Sequence, residues 1–591
     1  MVSDMNVRSI LLAVISAVLL TLSLPNELLP YGSFPIGLIA LGPLFLALYL
    51  APSYRFASVL GMVFGAVSTA MTSYWLWFFQ DFKIWTLGGV VLGYVGYNAL
   101  LAPILAALTR TKPAYRPFIL AAAWAGYEYL KSSGFLGYPW GLIAYPAVNI
   151  LPLVQFVEIT GIWGLSLLMA LSNALFAETL IRIGGFAPAP LRLGARKTPY
   201  LAPLRLDSRF HTVETRSRTS PASGSAHPDT GAPSFASALV LQPAFGCLLF
   251  LAAALYGAFR MAVPIPYRQT LTVALVQQNT DPWEDGNEVA ALETALRLSE
   301  QALESAGPRP DLVVWSENGL SRPYLEYPGW YLRNPRSVPF VPFIRRHGVP
   351  FLVGTPVLVD EESASWMNAT ILLDGTAEPV DTYGKQHPVP FAESVPFWEY
   401  EAVRNFYHNV IGLYGIWTIG NRYTLYTVPA ADGDVTFGTP ICFEDAFPYL
   451  NREFVRRGAD LLVNLTNDSW SKTVSAETQH FVVALLRAVE NRRVLIRSTN
   501  AGVTAVIDPW GRTVASLPLF TEGVLVEKVP VYKETALTPY TLFGDYLPYL
   551  LFVTLVAALL FRNAFFLPGL FPERRRKPVS ARNERERLPV S

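Results

Sequence analysis

The chain has 591 residues, enough for several domains, and is 52% hydrophobic with only 15% charged residues. With a mean hydropathy of +0.31, that balance points to a membrane protein. A net charge of +1 offers no electrostatic case for nucleic acid, and two cysteines leave no disulfide framework.

A bilayer core about 30 Å thick is crossed by about 20 mostly apolar residues in a helix. Eight stretches are candidates: 10–24, 36–50, 59–79, 87–108, 118–129, 162–181, 236–259 and 547–561, the fifth and last being short. The first resembles a signal peptide, but no small-residue cleavage site follows Leu24-Pro25-Asn26, so it reads as a retained helix. Arg55, Arg110, Lys112, Arg116 and Arg182 flank spans on what is one side if the chain crosses eight times. The basic tail Glu573-Arg-Arg-Arg-Lys577 falls there too, and the positive-inside rule makes that side the cytoplasm.

The expected layout is therefore helices one to six over 1–182, an insertion over 183–235 and helix seven over 236–262. A soluble domain follows over 268–533, then helix eight over 540–566 and a basic cytoplasmic tail over 567–591. The insertion is rich in Pro, Ser and Arg without periodic apolar residues, the composition of a solvated cytoplasmic linker. Two outward stretches, Ser73-Tyr-Trp-Leu-Trp-Phe-Phe79 and Gly134-Phe-Leu-Gly-Tyr-Pro-Trp-Gly141, admit two readings. They are an interfacial aromatic belt, or a lipid-accessible lip beside an active site.

In the soluble domain apolar strand-like runs alternate with helical ones: 271–277, 311–315, 350–356, 367–373, 460–464, 494–498 and 503–508, with helices over 288–305 and 476–491. That alternation argues for an α/β domain whose sheets are covered by helices. Cys442 stands in Gly438-Thr-Pro-Ile-Cys-Phe-Glu-Asp-Ala446, between the strand-like Val435-Thr-Phe and a helical run over 447–455. A free cysteine is commonly a small buried hydrophobe. At a strand-to-helix junction it is also rigidly aimed, and Glu444 and Asp445 beside it should raise its pKa, so a thiolate needs a partner. Glu317, just past the strand 311–315, can take a thiol proton, and Lys385 can stabilise thiolate and oxyanion. Taken singly, both residues also read as surface charges.

The motifs around these three are specific. Trp-Ser-Glu317, Tyr-Gly-Lys385-Gln-His-Pro-Val-Pro-Phe-Ala-Glu393 and Pro-Ile-Cys442-Phe-Glu444 together resemble the nitrilase superfamily. More narrowly they resemble its integral-membrane branch, the apolipoprotein N-acyltransferases, as do Val276-Gln-Gln-Asn279, Asn464-Leu-Thr-Asn-Asp-Ser-Trp470, the run 497–508, Tyr138-Pro-Trp140 and Thr160-Gly-Ile-Trp-Gly164. The resemblance implies an α-helical membrane bundle of about eight helices carrying an αββα sandwich on its periplasmic face, in the bacterial inner membrane. Cys442 would be the nucleophile, Glu317 the general base and Lys385 the oxyanion stabiliser, with Glu393 and Glu444 positioning Lys385 and the incoming amine. A phospholipid would donate an acyl chain to Cys442 as a thioester. The α-amino group of a diacylglyceryl apolipoprotein would then accept it, the last step of lipoprotein maturation. No metal or organic cofactor is implied, consistent with six scattered histidines, and a monomer is expected.

Two departures from the family pattern bear on the acyl site: Ser471-Lys472 follows Trp470 where Phe-Gly is usual, and Phe443 replaces a tyrosine. His387 and His480 lie near matched motifs and read as structural. One rival is a membrane-tethered nitrilase-like amidase in which water resolves the thioester. The other is a non-catalytic binding module on a dead domain, which an intact Glu317, Lys385 and Cys442 argue against.

Overall fold

The computed structural model describes residues 2–79, 83–188, 191, 235–267, 269–281, 284, 286–362, 365–413, 415–532, 536–561 and 565. Nearly all of the 183–235 insertion and the whole tail 567–591 lie outside the described residues.

All eight candidate stretches contain helix, but among the described residues five helices are long and apolar enough to cross a membrane on their own. They are Asn6–Ser23, Tyr54–Thr72, Ile84–Leu108, Ile162–Ile183 and Leu241–Ala262. The expected span 36–50 is split into Phe34–Gly37 and Gly42–Leu50, with Pro43 opening the second piece. The fifth, Arg116–Lys131, has 16 residues and the last, Tyr546–Leu560, has 15, below the roughly 20 a straight crossing needs. The expected span 59–79 ends early at Thr72, and Tyr74–Phe78 forms a short 3-10 turn.

Packing explains why the fifth helix departs from the apolar ideal. It lies against Ile162–Ile183 with Glu128 only 1% exposed, and that carboxylate accepts from Trp124 Nε1 (3.0 Å), Ile143 N (2.8 Å) and Ser166 Oγ (2.6 Å). A buried charge so satisfied is tolerable inside a bundle and costly against lipid.

The α/β domain contains two six-stranded sheets. In the first run β1 (Gln269–Gln277), β2 (Leu312–Val314), β3 (Phe351–Asp360), β4 (Ser365–Leu373), β5 (Pro379–Gly384) and β12 (Gly523–Val531), ordered β12-β1-β2-β3-β4-β5. The second holds β6 (Leu425–Ala430), β7 (Gly433–Gly438), β8 (Leu461–Thr466), β9 (Leu495–Thr499), β10 (Ala505–Ile507) and β11 (Thr513–Ser516), ordered β11-β10-β9-β8-β7-β6. Each has a parallel centre, β1-β2-β3 or β7-β8-β9, flanked by antiparallel strands.

Period-two alternation builds the layers. Val273 and Leu275 of β1, Leu312 and Val314 of β2 and Leu352 of β3 share a core with Phe437, Leu461 and Val463 of the second sheet. The intervening Ala274, Val276, Val313, Trp315, Phe351 and Val353 pack instead with Leu292, Leu296, Phe340 and Ile344 of the helices Glu288–Leu303 and Phe340–His347. On the second sheet the outer cover is Pro448–Arg456 and Val474–Asn491. The order is helix, sheet, sheet, helix, the αββα sandwich expected.

The helix Val474–Asn491 also docks the sandwich on the membrane helices. Gln479 donates to Pro25 O (2.9 Å) and Thr72 O (3.1 Å), Glu490 accepts from Ile162 N (3.0 Å), and Arg492 at its end pairs with Glu158. These partners are backbone groups and a buried carboxylate, so fixed polar bonds join the two parts alongside the apolar contacts between them.

Candidate active site

Cys442 sits where the sequence pattern puts it: β7 ends at Gly438, a 3-10 turn runs Cys442–Ala446, and the helix Pro448–Arg456 follows. Its φ of +48° lies in the left-handed region that costs an L-residue energy and concentrates at functional turns. Two contacts hold the turn. Ile441 bridges to Leu465 of β8, and Asn464 donates to Pro440 O (3.1 Å) and Cys442 O (3.3 Å). Burial pushes the thiol pKa well above its ordinary value, Glu317 pushes the same way and Lys385 opposes. The two acids next to Cys442 in sequence are not the cause.

Glu317 lies just past β2, and the next residue, Asn318, has φ +54°. Strand β3 passes so close that a Cβ on Gly354 would stand 2.4 Å from Asn318 N and 2.8 Å from Glu317 Cα, so only glycine fits. Lys385, one residue past β5, is 2% exposed and donates to Glu317 Oε1 (3.1 Å) and Glu393 Oε1 (2.9 Å). Asn368 of β4 donates to the same two oxygens, at 2.8 and 3.2 Å. The second oxygen of each carboxylate takes a backbone N–H: Asn467 to Glu317 (3.0 Å) and Val389 to Glu393 (2.7 Å). Burial works against the Lys385 ammonium, yet Glu317 and Glu393 outweigh it and hold its pKa well above the ordinary lysine value. The lysine is a fixed cation between two fixed carboxylates, with Cys442 close enough to add to its field.

Glu444 is completely buried and is bonded to the segments that flank Lys385 and Cys442. Its carboxylate accepts from Ile441 N (2.7 Å), Gln386 N (2.6 Å), His387 N (3.0 Å) and Tyr383 OH (3.0 Å). One side chain thus ties the residue before the cysteine to the two residues after the lysine. Burial raises its pKa to about 7 despite those donors.

The comparisons with known proteins divide the chain as the fold does. Residues 16–175 match the apolipoprotein N-acyltransferase N-terminal domain, and residues 272–536 match carbon-nitrogen hydrolase. Apolipoprotein N-acyltransferase 2 of Treponema pallidum is 38% identical over 541 residues, covering 88% of each chain. Apolipoprotein N-acyltransferase of Borreliella burgdorferi is 31% identical, covering 92% of this chain and 93% of its own. The chain belongs to the apolipoprotein N-acyltransferase family. Among solved structures, Saccharomyces cerevisiae Nit3, a nitrilase-superfamily member, is 22% identical with a TM-score of 0.33, over 45% of this chain and 91% of its own.

Beside the residues shared with the family resemblance, the structure adds a layer that sequence reasoning passed over. Asn368 is the clearest case: its signal was an amide side chain at a buried position of a largely apolar strand, Met367-Asn-Ala-Thr-Ile-Leu-Leu373. Arg497 inside Leu-Ile-Arg-Ser-Thr499 is another. It pairs with Asp445 (3.3 Å) and Asp468 (3.3 Å), and His480 bridges the same two acids at 2.8 and 2.9 Å. Asp445 and Glu444, adjacent in sequence, therefore serve opposite sides of the cysteine turn. His387 stacks on Phe447 at 3.7 Å and bonds Tyr449 OH (2.7 Å), and burial with Lys385 nearby lowers its pKa to about 4.

Burial disfavours the His480 cation, but Asp445 and Asp468 outweigh it and raise its pKa to about 9. A raised histidine pKa stabilises the fold fully below about 6.5 and progressively less as pH rises through 9. The expected contribution is on the order of 3 kcal/mol. Thermal unfolding of wild type and His480→Gln should therefore differ most near pH 6 and converge above pH 9, about the raised value. A pH-independent gap would contradict the charged state.

The aromatic stretches of the membrane part turn inward at this turn. Trp140 stacks on Phe443 with ring centroids 5.3 Å apart and planes 14° off parallel, and Tyr138 stacks on Trp140 at 5.4 Å. Trp75 lies 5.6 Å from Trp470 and Phe79 5.4 Å from it. Trp77 and Phe78 in the same stretch stay exposed. The turn that carries Cys442 is thus walled on one side by the loop 134–141 and the 3-10 turn Tyr74–Phe78, which adjoin the apolar helices.

Proposed function

We propose that this acyltransferase moves an acyl chain from a phospholipid to the α-amino group of a diacylglyceryl apolipoprotein, with Cys442 as nucleophile, Glu317 as general base and Lys385 as oxyanion stabiliser. The single observation that carries it is Lys385 clamped between Glu317 and Glu393 beside a cysteine held at positive φ. Glu317 takes the thiol proton as sulfur attacks the ester carbonyl. The tetrahedral oxyanion is met by the Lys385 ammonium and a backbone N–H following Cys442, at the open start of the 3-10 turn. Collapse expels the lysophospholipid, which takes the proton back from Glu317, and leaves the thioester. The lipoprotein amine then attacks, gives its proton to Glu317, and the thiolate leaves and is reprotonated.

Glu393 holds the second side of Lys385, and Glu444 keeps lysine and cysteine in register. Both substrates are anchored in a membrane, and the aromatic wall of Trp140, Trp75 and Trp470 beside Phe443 suits that source. Basic residues at the span ends favour the sandwich lying on the periplasmic face of the bacterial inner membrane, with the 183–235 insertion and the 567–591 tail in the cytoplasm.

The test separates transfer from hydrolysis. Purified protein given phospholipid and a diacylated lipopeptide should yield N-acylated peptide well ahead of free fatty acid, and Cys442→Ala should yield neither. Fatty acid released at the same rate with or without the peptide amine would assign a hydrolase instead.

A further inference from the structure

Within the helical part, beneath Trp140, lies a polar cavity of about 30 Å³ among the helices Tyr54–Thr72, Lys83–Leu108 and Arg116–Lys131. That is room for about two water-sized groups. Lys131, 7% exposed, lines it and spends one bond on Trp140 O (2.7 Å). An ammonium carries three donors, so two remain without a bonded acceptor among the described residues, the group also lying 5.4 Å from the Tyr94 ring centroid. Trp140 also lines it, is 6% exposed, and its indole Nε1 has no hydrogen-bond partner among the described residues. Glu128, on the same wall, makes no hydrogen bond to either among the described residues, and its oxygens accept from Trp124, Ile143 and Ser166. Unspent donors buried inside a membrane bundle cost free energy unless something accepts from them.

Donors without acceptors select an oxygen-bearing ligand, and the small volume selects its tip rather than a whole headgroup. The upper wall is the ring that stacks on Phe443, next to the nucleophile. We propose that Lys131 and Trp140 Nε1 bind an ester carbonyl of a glycerolipid substrate and so set how deep that lipid sits beneath Cys442. This rests on the acyl-transfer reading for which lipids arrive, and both substrates of that reading carry such esters. The carbonyl belongs to a chain that is retained, so no bond to it forms or breaks.

Binding to Cys442→Ala, which does not turn over, tests the pocket apart from catalysis. Affinities are measured for phosphatidylethanolamine and its diether analogue, and for a diacylglyceryl-cysteine lipopeptide and its diether analogue. In one of these pairs the diester should bind about tenfold tighter, the effect of one hydrogen bond to a charged donor. That ratio should fall towards one when Lys131→Met or Trp140→Phe is added. A residue that only props the helices would weaken diester and diether alike and leave the ratio standing. Trp140→Phe keeps a stacking ring and removes only the N–H, so it decides the matter if Lys131→Met does not fold. Which pair shows the effect names the lipid, donor or acceptor. The proposal is overturned if diester and diether bind equally in both pairs, as for a cavity filled by water alone, or if the ratio survives both substitutions. Absence of any N-acylated product from wild type would sink the functional reading while leaving this comparison intact.

Discussion

Lys385→Met should slow formation of the acyl-enzyme by about 10²- to 10³-fold, the loss that follows removal of an oxyanion donor. Two consequences of the geometry make the effect large. The ammonium is the group that Glu317 and Glu393 both bind, at 3.1 and 2.9 Å, and without it the buried Glu317 and the half-buried Glu393 carboxylates face one another across Asn368. Like charges in a shared site force one to hold a proton, so the base would be compromised along with the oxyanion site. Breaking a buried pair by removing one partner also costs about 3–5 kcal/mol, so the variant should melt earlier. The backbone is held independently by Lys385 N to Asn368 O (2.8 Å) and Gly420 N to Lys385 O (2.8 Å), so the strand end should persist. Arginine should not rescue, because a planar fork does not fill the place of a compact ammonium. Time-resolved intact mass measures the rate, and a Lys385→Met variant within threefold of wild type would remove the lysine from the chemistry.

Glu444→Gln should lower kcat by about 10²-fold with little change in KM. The carboxylate receives four donors, from Ile441, Gln386, His387 and Tyr383. An amide offers one oxygen and turns two N–H groups towards donors, and each buried donor left unpaired costs about 1–3 kcal/mol. The cost falls on the segments that carry the nucleophile and the cation, since Ile441 precedes Cys442 and Gln386 follows Lys385. A displacement of about 1 Å between reacting groups is enough for a hundredfold loss. Substrate contact is not the route, because Glu444 is fully buried. Steady-state kinetics with both substrates check this, and a variant whose KM rises while kcat holds would make Glu444 a binding residue.

Much of the sandwich was legible because buried parallel strands are continuous apolar runs. Leu271–Gln277 and Asp460–Asn464 appear as β1 and β8 nearly residue for residue. The edges were not. Thr513–Ser516 is mostly exposed and Pro379–Gly384 is polar outside its last residues, so neither carries an apolar signature, and pairing with a neighbour is what makes them strands. Membrane helices were legible as stretches but not as lengths: one is broken ahead of Pro43, and another stops after 16 residues, its Glu128 held inside the bundle. For the site, Cys442 could be placed by its junction, whereas Glu317 and Lys385, suited by chemistry and strand-end position, have no spacing that physics recognises and were set apart from surface charges by the family motifs. Reading Glu444 and Asp445 as neighbours that raise the thiol pKa was wrong in its cause. The turn after Cys442 sends one to the lysine loop and the other to His480 and Arg497, and burial with Glu317 raises the thiol instead.

A thioester on Cys442 can be seen by intact-protein mass spectrometry after incubation with phospholipid alone. One added acyl mass should map to Cys442, be released by hydroxylamine, be absent from Cys442→Ala, and be consumed when a diacylated lipopeptide amine is added. N-acylated product formed with no adduct on Cys442, or an adduct that persists in Cys442→Ala, would contradict it.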